Sequence, residues 1–216
     1  MKENLTELVF IVDMSGSMSG TEEDTVGGIN TMLKKQRELE GEMLVSTVVF
    51  NNQAHVIHDR VPLTEIPDMT LADYTPTGCT ALLDALGGAI HHIGNVHKYA
   101  RPEDVPEHTI FIITTDGLEN ASRVYTSQKV KSMIEHEKEK YGWEFIFLAA
   151  NIDAVETAEK YGIDRSRAVN YHNDERGREA MSYSACKVVS AVRSKISLEE
   201  SDWRDELDAD YISRKK

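Results

Sequence analysis

The chain has 216 residues, 40% of them hydrophobic and 28% charged, an ordinary globular composition that supports one sizeable core. With 24 basic and 37 acidic residues the net charge is −13, which excludes nucleic-acid binding through a basic patch. Much of the excess is local, because Leu198 to Asp210 holds seven acids against one arginine, Arg204.

The two cysteines, Cys79 and Cys186, have neither C-x-x-C spacing nor a pairing pattern, so a reducing, cytoplasmic compartment is expected. The polar start, Met1 to Glu7, has no signal-like apolar run, and no later stretch reaches the length of a membrane span.

Leu8-Val9-Phe10-Ile11-Val12 is a continuous apolar run bounded by turn residues, which predicts a strand buried on both faces. Asp13-Met14-Ser15-Gly16-Ser17-Met18-Ser19-Gly20 follows it as a loop. Val26, Ile29 and Leu33 predict a helix over Thr25 to Glu40, stopped by Gly41. Gly27 and Gly28 cost that helix about 1 kcal/mol each relative to alanine, and their expected use is close approach to the sheet.

Met43 to Phe50 predicts a second strand, and Ala54 to Asp59 an antiparallel edge strand after the turn Asn51-Asn52-Gln53. A proline-bearing loop, Val61 to Cys79, leads to a helix from Thr80 with Leu82, Leu86, Ala89, Ile93 and Val96 on its buried stripe. Thr109 to Thr114 is a third long strand, followed by Thr115-Asp116-Gly117. Next come a charged helix over Ser127 to Lys140, a strand over Trp143 to Ala149 and a short helix over Asp153 to Tyr161 capped by Asp153. A last short strand, Arg167 to Asn170, and a helix over Glu175 to Lys195 complete the alternation. Alternating strands and helices predict an α/β fold with a mainly parallel sheet covered on both faces. Trp203 and Leu207 are the apolar anchors of the last segment, read either as an acidic disordered tail or as a short docked helix, with disorder favoured.

In open α/β sheets, ligands bind where strands end at their carboxyl edge. Asp13, Ser15 and Ser17, Asp116, and the loop Thr77-Gly78-Cys79-Thr80 all belong to that edge if their strands are neighbours. Carboxylates and hydroxyls together suit a hard divalent cation such as Mg²⁺. Thr77 and Thr80 both offer a hydroxyl from the third loop.

Asp-x-Ser-x-Ser after the first strand, Gly-x-Thr-Ala-Leu at a helix start and Thr-Asp-Gly after a later strand resemble a von Willebrand factor type A (VWA) domain. The resemblance spans roughly Leu5 to Lys195. It implies a Rossmann-like fold with one antiparallel edge strand, in a domain of residues 1–196 followed by an acidic tail over 197–216. It also implies a metal-ion-dependent adhesion site. Ser15 and Ser17 would then be direct ligands and Thr80 a ligand in the ligand-competent state, with Asp13 and Asp116 binding directly or through water. The family triplet Gly-Gly-Thr is here Gly78-Cys79-Thr80. Mg²⁺ is the expected ion, with Mn²⁺ and Ca²⁺ as alternatives. The expected partner is a protein presenting an Asp or Glu side chain, with neither nucleic acid nor membrane involved.

A non-enzymatic, cytoplasmic binding module is the favoured reading. One alternative is a Mg²⁺-dependent hydrolase or phosphotransferase with Asp13 as nucleophile; another is a subunit of an ATPase-associated or metal-insertion complex. The eight histidines lack zinc-site spacing, so surface or satisfied histidines are expected. Cys79 is read as a small packing residue, Glu119 and Asn120 equally as solvated loop or as site residues, and Asp153 as a helix cap.

Overall fold

A computed structural model describes residues 1–214. Six strands form one sheet in the order β3-β2-β1-β4-β5-β6. They are β1 (Lys2–Asp13), β2 (Glu42–Phe50), β3 (Ala54–Pro62), β4 (Pro106–Thr115), β5 (Glu144–Ala149) and β6 (Ala168–Asn170). All neighbours pair in parallel except β2 and β3, which pair antiparallel at one edge. The expected fold class is therefore the observed one.

The apolar runs split by strand period between two cores. Leu8, Phe10, Val12, Ile110, Ile112, Ile146 and Leu148 pack with α1 (Glu22–Gln36) and α5 (Glu175–Arg193). Val9, Ile11, Phe111, Ile113, Phe145 and Phe147 pack with α2 (Leu82–Tyr99), α3 (Ser127–Tyr141) and α4 (Ala154–Lys160). Continuous apolarity in β1, β4 and β5 is thus the result of burial on both faces.

Several boundaries differ from expectation. Helix α1 starts at Glu22, where Glu22, Glu23 and Asp24 meet the positive end of the helix dipole, and it ends at Gln36. Gly41, at φ +93°, makes the turn into β2 instead of ending the helix. A Cβ on Gly28 would lie 2.4 Å from Ser182 Oγ, while Gly27 has open space around it. The close approach is therefore to α5 and not to the sheet. Strand β3 runs on to Pro62, and α2 begins at Leu82, two residues past Thr80. Val96 is only half-buried on α2.

The described part of the segment after Ser197 carries a docked helix, α6 (Asp205–Arg214), contrary to the favoured disorder; residues 215–216 of the expected tail lie outside the described residues. Leu198, Trp203 and Leu207 are buried in the α1/α5 core, and Ser184 Oγ donates to the Trp203 carbonyl at 2.8 Å. Four of the seven acids that suggested disorder are paired: Glu199 with Arg167 (2.6 Å), Asp202 with Lys187 (2.8 Å), Asp208 with Arg204 (2.6 Å) and Asp210 with Arg176 (2.7 Å). Local composition missed these partners, because all but Arg204 lie outside the segment.

Glu7 is fully buried in β1, held by Arg60 at 2.6 Å and by His97 Nε2 at 2.6 Å. Arg60 sits at φ +52° in β3, whose pairing with β2 shifts register twice, between Val45/Thr47 and Thr47/Val48. Strand β6, at the other edge, has three residues. Among the described residues, no helix is long and apolar enough to cross a membrane.

Candidate metal centre

Strand order reverses between β1 and β4, since the chain passes from β1 to β2 on one side and returns to β4 on the other. The carboxyl ends of these two central strands therefore open the crevice in which α/β sheets bind ligands. Asp13 is the last residue of β1, and Asp116 immediately follows β4.

Asp13 is fully buried and both its oxygens are engaged: Ser15 N–H donates to Oδ1 (2.7 Å) and Thr115 Oγ1 donates to Oδ2 (2.6 Å). From there a string of oxygens crosses the crevice. Ser15 Oγ lies 3.0 Å from Ser17 Oγ, which donates to Asp116 Oδ1 at 2.5 Å. Thr80 joins from the third loop, because a Cβ on Gly117 would lie 3.7 Å from Thr80 Oγ1 and 3.9 Å from Ser17 Oγ. All five expected residues thus converge. Thr77, the rival, is exposed and is tied here by its backbone N–H to the Met14 carbonyl (3.0 Å).

The loops are fastened to one another by backbone. Gly16 N–H donates to the Gly78 carbonyl at 3.0 Å, and Ala81 N–H to the Asn51 carbonyl at 2.7 Å. Gly78 has φ +75°, and a Cβ there would fall 1.9 Å from Asn52 Oδ1, the atom that accepts from Cys79 N–H at 3.0 Å. Only glycine suits this position. Asn120 and Thr80 exchange two bonds, Thr80 N–H to Asn120 Oδ1 (2.9 Å) and Asn120 N–H to the Thr80 carbonyl (3.1 Å).

Glu119 accepts from Leu83 N–H, Ala121 N–H, Ser122 N–H and Ser122 Oγ, so it secures the first turn of α2. Neither Glu119 nor Asn120 is a free loop residue: each holds the Thr80 loop in place. Cys79 is exposed, which overturns its reading as a packing residue. Asp153 caps α4 as expected, accepting from Glu156 N–H at 2.9 Å.

Burial pushes the Asp116 carboxyl above its ordinary value; the Ser17 hydroxyl opposes the shift and the Asp13 charge reinforces it. Two carboxylates desolvated beside each other repel, and a cation between them removes that cost. The donor set contains only carboxylate and hydroxyl oxygens, which matches a hard divalent ion. Among the described residues no group of three or more His, Cys, Asp or Glu is placed to hold a metal ion.

The histidines are elsewhere: His58 bonds Thr47 (3.1 Å), His92 pairs with Asp59 (2.8 Å) and His97 with Glu7. His55 and His91 are exposed.

Three residues that sequence reasoning passed over also shape the centre. Thr115 orients Asp13, Tyr74 donates its hydroxyl to the Asp13 carbonyl (2.5 Å), and Asn173 donates to Asp116 Oδ2 (2.9 Å).

Comparison with solved structures decides the fold. Proximal thread matrix protein 1 from the mussel byssus superposes with a TM-score of 0.60 at 15% identity, over 86% of this chain and 46% of its own. A von Willebrand factor type A structure from Catenulispora acidiphila does so with 0.53 at 13%, over 84% and 41%. The chain has the von Willebrand factor type A fold.

The TRAP protein of Plasmodium vivax, described as manganese-loaded, shares this VWA fold with a TM-score of 0.55 at 14% identity, over 84% of this chain and 73% of its own. One structure of the mussel protein is described with a zinc-occupied MIDAS motif. The chain spans less than half the length of the mussel proteins it matches. No protein-family model matches the sequence. No curated protein matches it.

Proposed function

We propose that this VWA fold is a divalent-metal-dependent protein-binding module, with Asp13, Ser15, Ser17, Thr80 and Asp116 around Mg²⁺. The observation that carries the reading is the unbroken oxygen string Ser15–Ser17–Asp116, with the Thr80 hydroxyl beside it at the switch point of the sheet. Zinc and manganese in the two metal-bearing neighbours support a divalent ion at this position.

Ser15 and Ser17 are the direct hydroxyl ligands, and Thr80 is the ligand whose loop approaches from the third side. Asp13 and Asp116 supply the negative charge, directly or through water. When bound, the ion offers an electrophilic coordination position to an outside carboxylate, because two carboxylates neutralise it less than three would. An Asp or Glu of a partner protein completes the sphere.

A nucleophilic role for Asp13 is disfavoured, since both its oxygens accept hydrogen bonds within the chain. The free thiols Cys79 and Cys186 support a reducing, cytoplasmic setting.

Mn²⁺ titration of the whole chain, together with capture of partners in Mg²⁺ and in chelator, tests the proposal. The expected result is cation binding and capture that both vanish in Ser15→Ala/Ser17→Ala. A partner retained equally in chelator and in that variant would show that recognition lies elsewhere.

A further inference from the structure

The loop between β6 and α5 is gripped on both sides of one residue. His172 stacks on Tyr211 of α6, with ring centroids 4.8 Å apart, and its Nε2 lies 3.2 Å from the Tyr211 carbonyl. Asp174 caps α5 through Oδ1, which accepts from Gly177 N–H (2.9 Å), and binds Arg214 of α6 through Oδ2 (2.5 Å). Between them, Asn173 turns the other way and donates to Asp116 Oδ2.

The orientation of the Asn173 amide is fixed from behind. Arg178 Nη1 donates to Asn173 Oδ1 at 3.0 Å, so the amide NH₂ has to face Asp116. Arg178 is itself anchored on Asp24 of α1 through Nε (2.9 Å) and Nη2 (2.6 Å). Asp116 therefore keeps Oδ1 toward Ser17 and the crevice while Oδ2 is occupied from outside the proposed ligand set.

We propose that Asn173 is a positioning residue of the metal centre, and that α6 acts as its latch by holding His172 and Asp174. This inference rests on the metal-binding reading above. With α6 docked, the loop presents Asn173 to Asp116 and the carboxylate stays aimed at the cation. With α6 released, Asn173 leaves, Asp116 rotates, and cation affinity falls. A ligand or partner that takes hold of α6 would then weaken binding at the crevice without touching it, through differential stability of two arrangements of one loop. Residues holding metal ligands from outside the coordination sphere typically change affinity by about 10- to 100-fold when removed.

The test is a double-mutant cycle on the whole chain, read as Mn²⁺ affinity by titration, with folding checked by circular dichroism. Asn173→Ala is expected to weaken Mn²⁺ about 10-fold or more, and Tyr211→Ala/Arg214→Ala to weaken it in the same direction. Combining all three substitutions is expected to add little beyond Asn173→Ala, because the latch acts through that residue. Arg101→Ala, which removes the exposed Arg101–Asp104 pair ahead of β4 and touches neither α6 nor the loop, is expected to leave affinity unchanged. If Asn173→Ala does not fold, Asn173→Ser takes its place in the cycle.

Wild-type affinity retained by the α6 double variant, or fully additive losses, would overturn the latch while leaving the metal centre standing. No Mn²⁺ binding by the wild type would overturn the metal centre and the latch with it.

Discussion

Replacing Thr115 by valine removes one hydroxyl and leaves the rest of the side chain's shape. Thr115 is fully buried, and its Oγ1 lies 2.6 Å from Asp13 Oδ2, so the substitution deletes a hydrogen bond to a buried carboxylate. Bonds to charged groups contribute about 1.5–3 kcal/mol, and the oxygen left behind is unsatisfied. Thr115→Val should therefore cost about 2 kcal/mol in the metal-free chain, a sizeable share of the roughly 5–15 kcal/mol that holds a domain together. Asp13 is also freed to turn, so cation affinity should fall about 10- to 100-fold, or about 1.4–2.7 kcal/mol. Ligand binding to the native state adds to stability, so the loss at fixed Mg²⁺ should exceed the loss in chelator by that second amount. Urea unfolding in both conditions measures the two losses separately. Equal losses in Mg²⁺ and chelator would refute the idea that Thr115 aims Asp13 at a cation, and a loss below about 0.5 kcal/mol in both would refute its role altogether.

Gly78→Ala forces a side chain onto a left-handed backbone and into Asn52, so it should destabilise the chain by at least about 1–2 kcal/mol and weaken Mn²⁺ binding, as thermal melts and titration will show. Trp203→Ala should cost about 3–5 kcal/mol and raise hydrogen exchange across α6, whereas a loose tail would tolerate it within about 0.5 kcal/mol. The raised Asp116 pKa sets a pH dependence with a definite sign. The native chain holds this proton more tightly than the unfolded one, so its contribution to metal-free stability is present below the ordinary carboxylate pKa. That contribution is lost as pH rises through the elevated value. Cation binding needs the ionised carboxylate, so Mn²⁺ affinity should rise over the same interval. Urea midpoints and Mn²⁺ titrations across acidic pH check both trends, and Asp116→Asn should flatten them.

The convergence of Asp13, Ser15, Ser17, Thr80 and Asp116 was legible because it follows from strand ends. An apolar run fixes where β1 stops, and a buried strand leaves Asp13 at the sheet edge; the same argument places Asp116 after β4. The supporting residues were hidden for a different reason. Asn173 and Asn52 reach the site across 57 and 27 residues of sequence, and asparagine is ordinary loop chemistry. Thr115 carried a readable signal. The parallel register pairs Val12 with Thr114, so the next residue on β4 has to stand beside Asp13. Glu7 was absorbed into a polar start because its partners, Arg60 and His97, come from β3 and α2. The docked α6 was missed for the same physical reason: counting acids reports charge but not the arginines and lysines that other elements bring.

The edges of the sheet limit how a partner can be recognised. A peptide that binds by strand addition needs a long, straight row of unpaired backbone groups. Along β3 that row is broken by two register shifts and by the positive φ of Arg60, and β6 is three residues long. Neither edge presents the long, regular row that strand addition uses, for a foreign peptide or for a second copy of the chain. Under the proposed function, recognition falls to the crevice above β1 and β4, where side chains and the proposed cation would supply specificity.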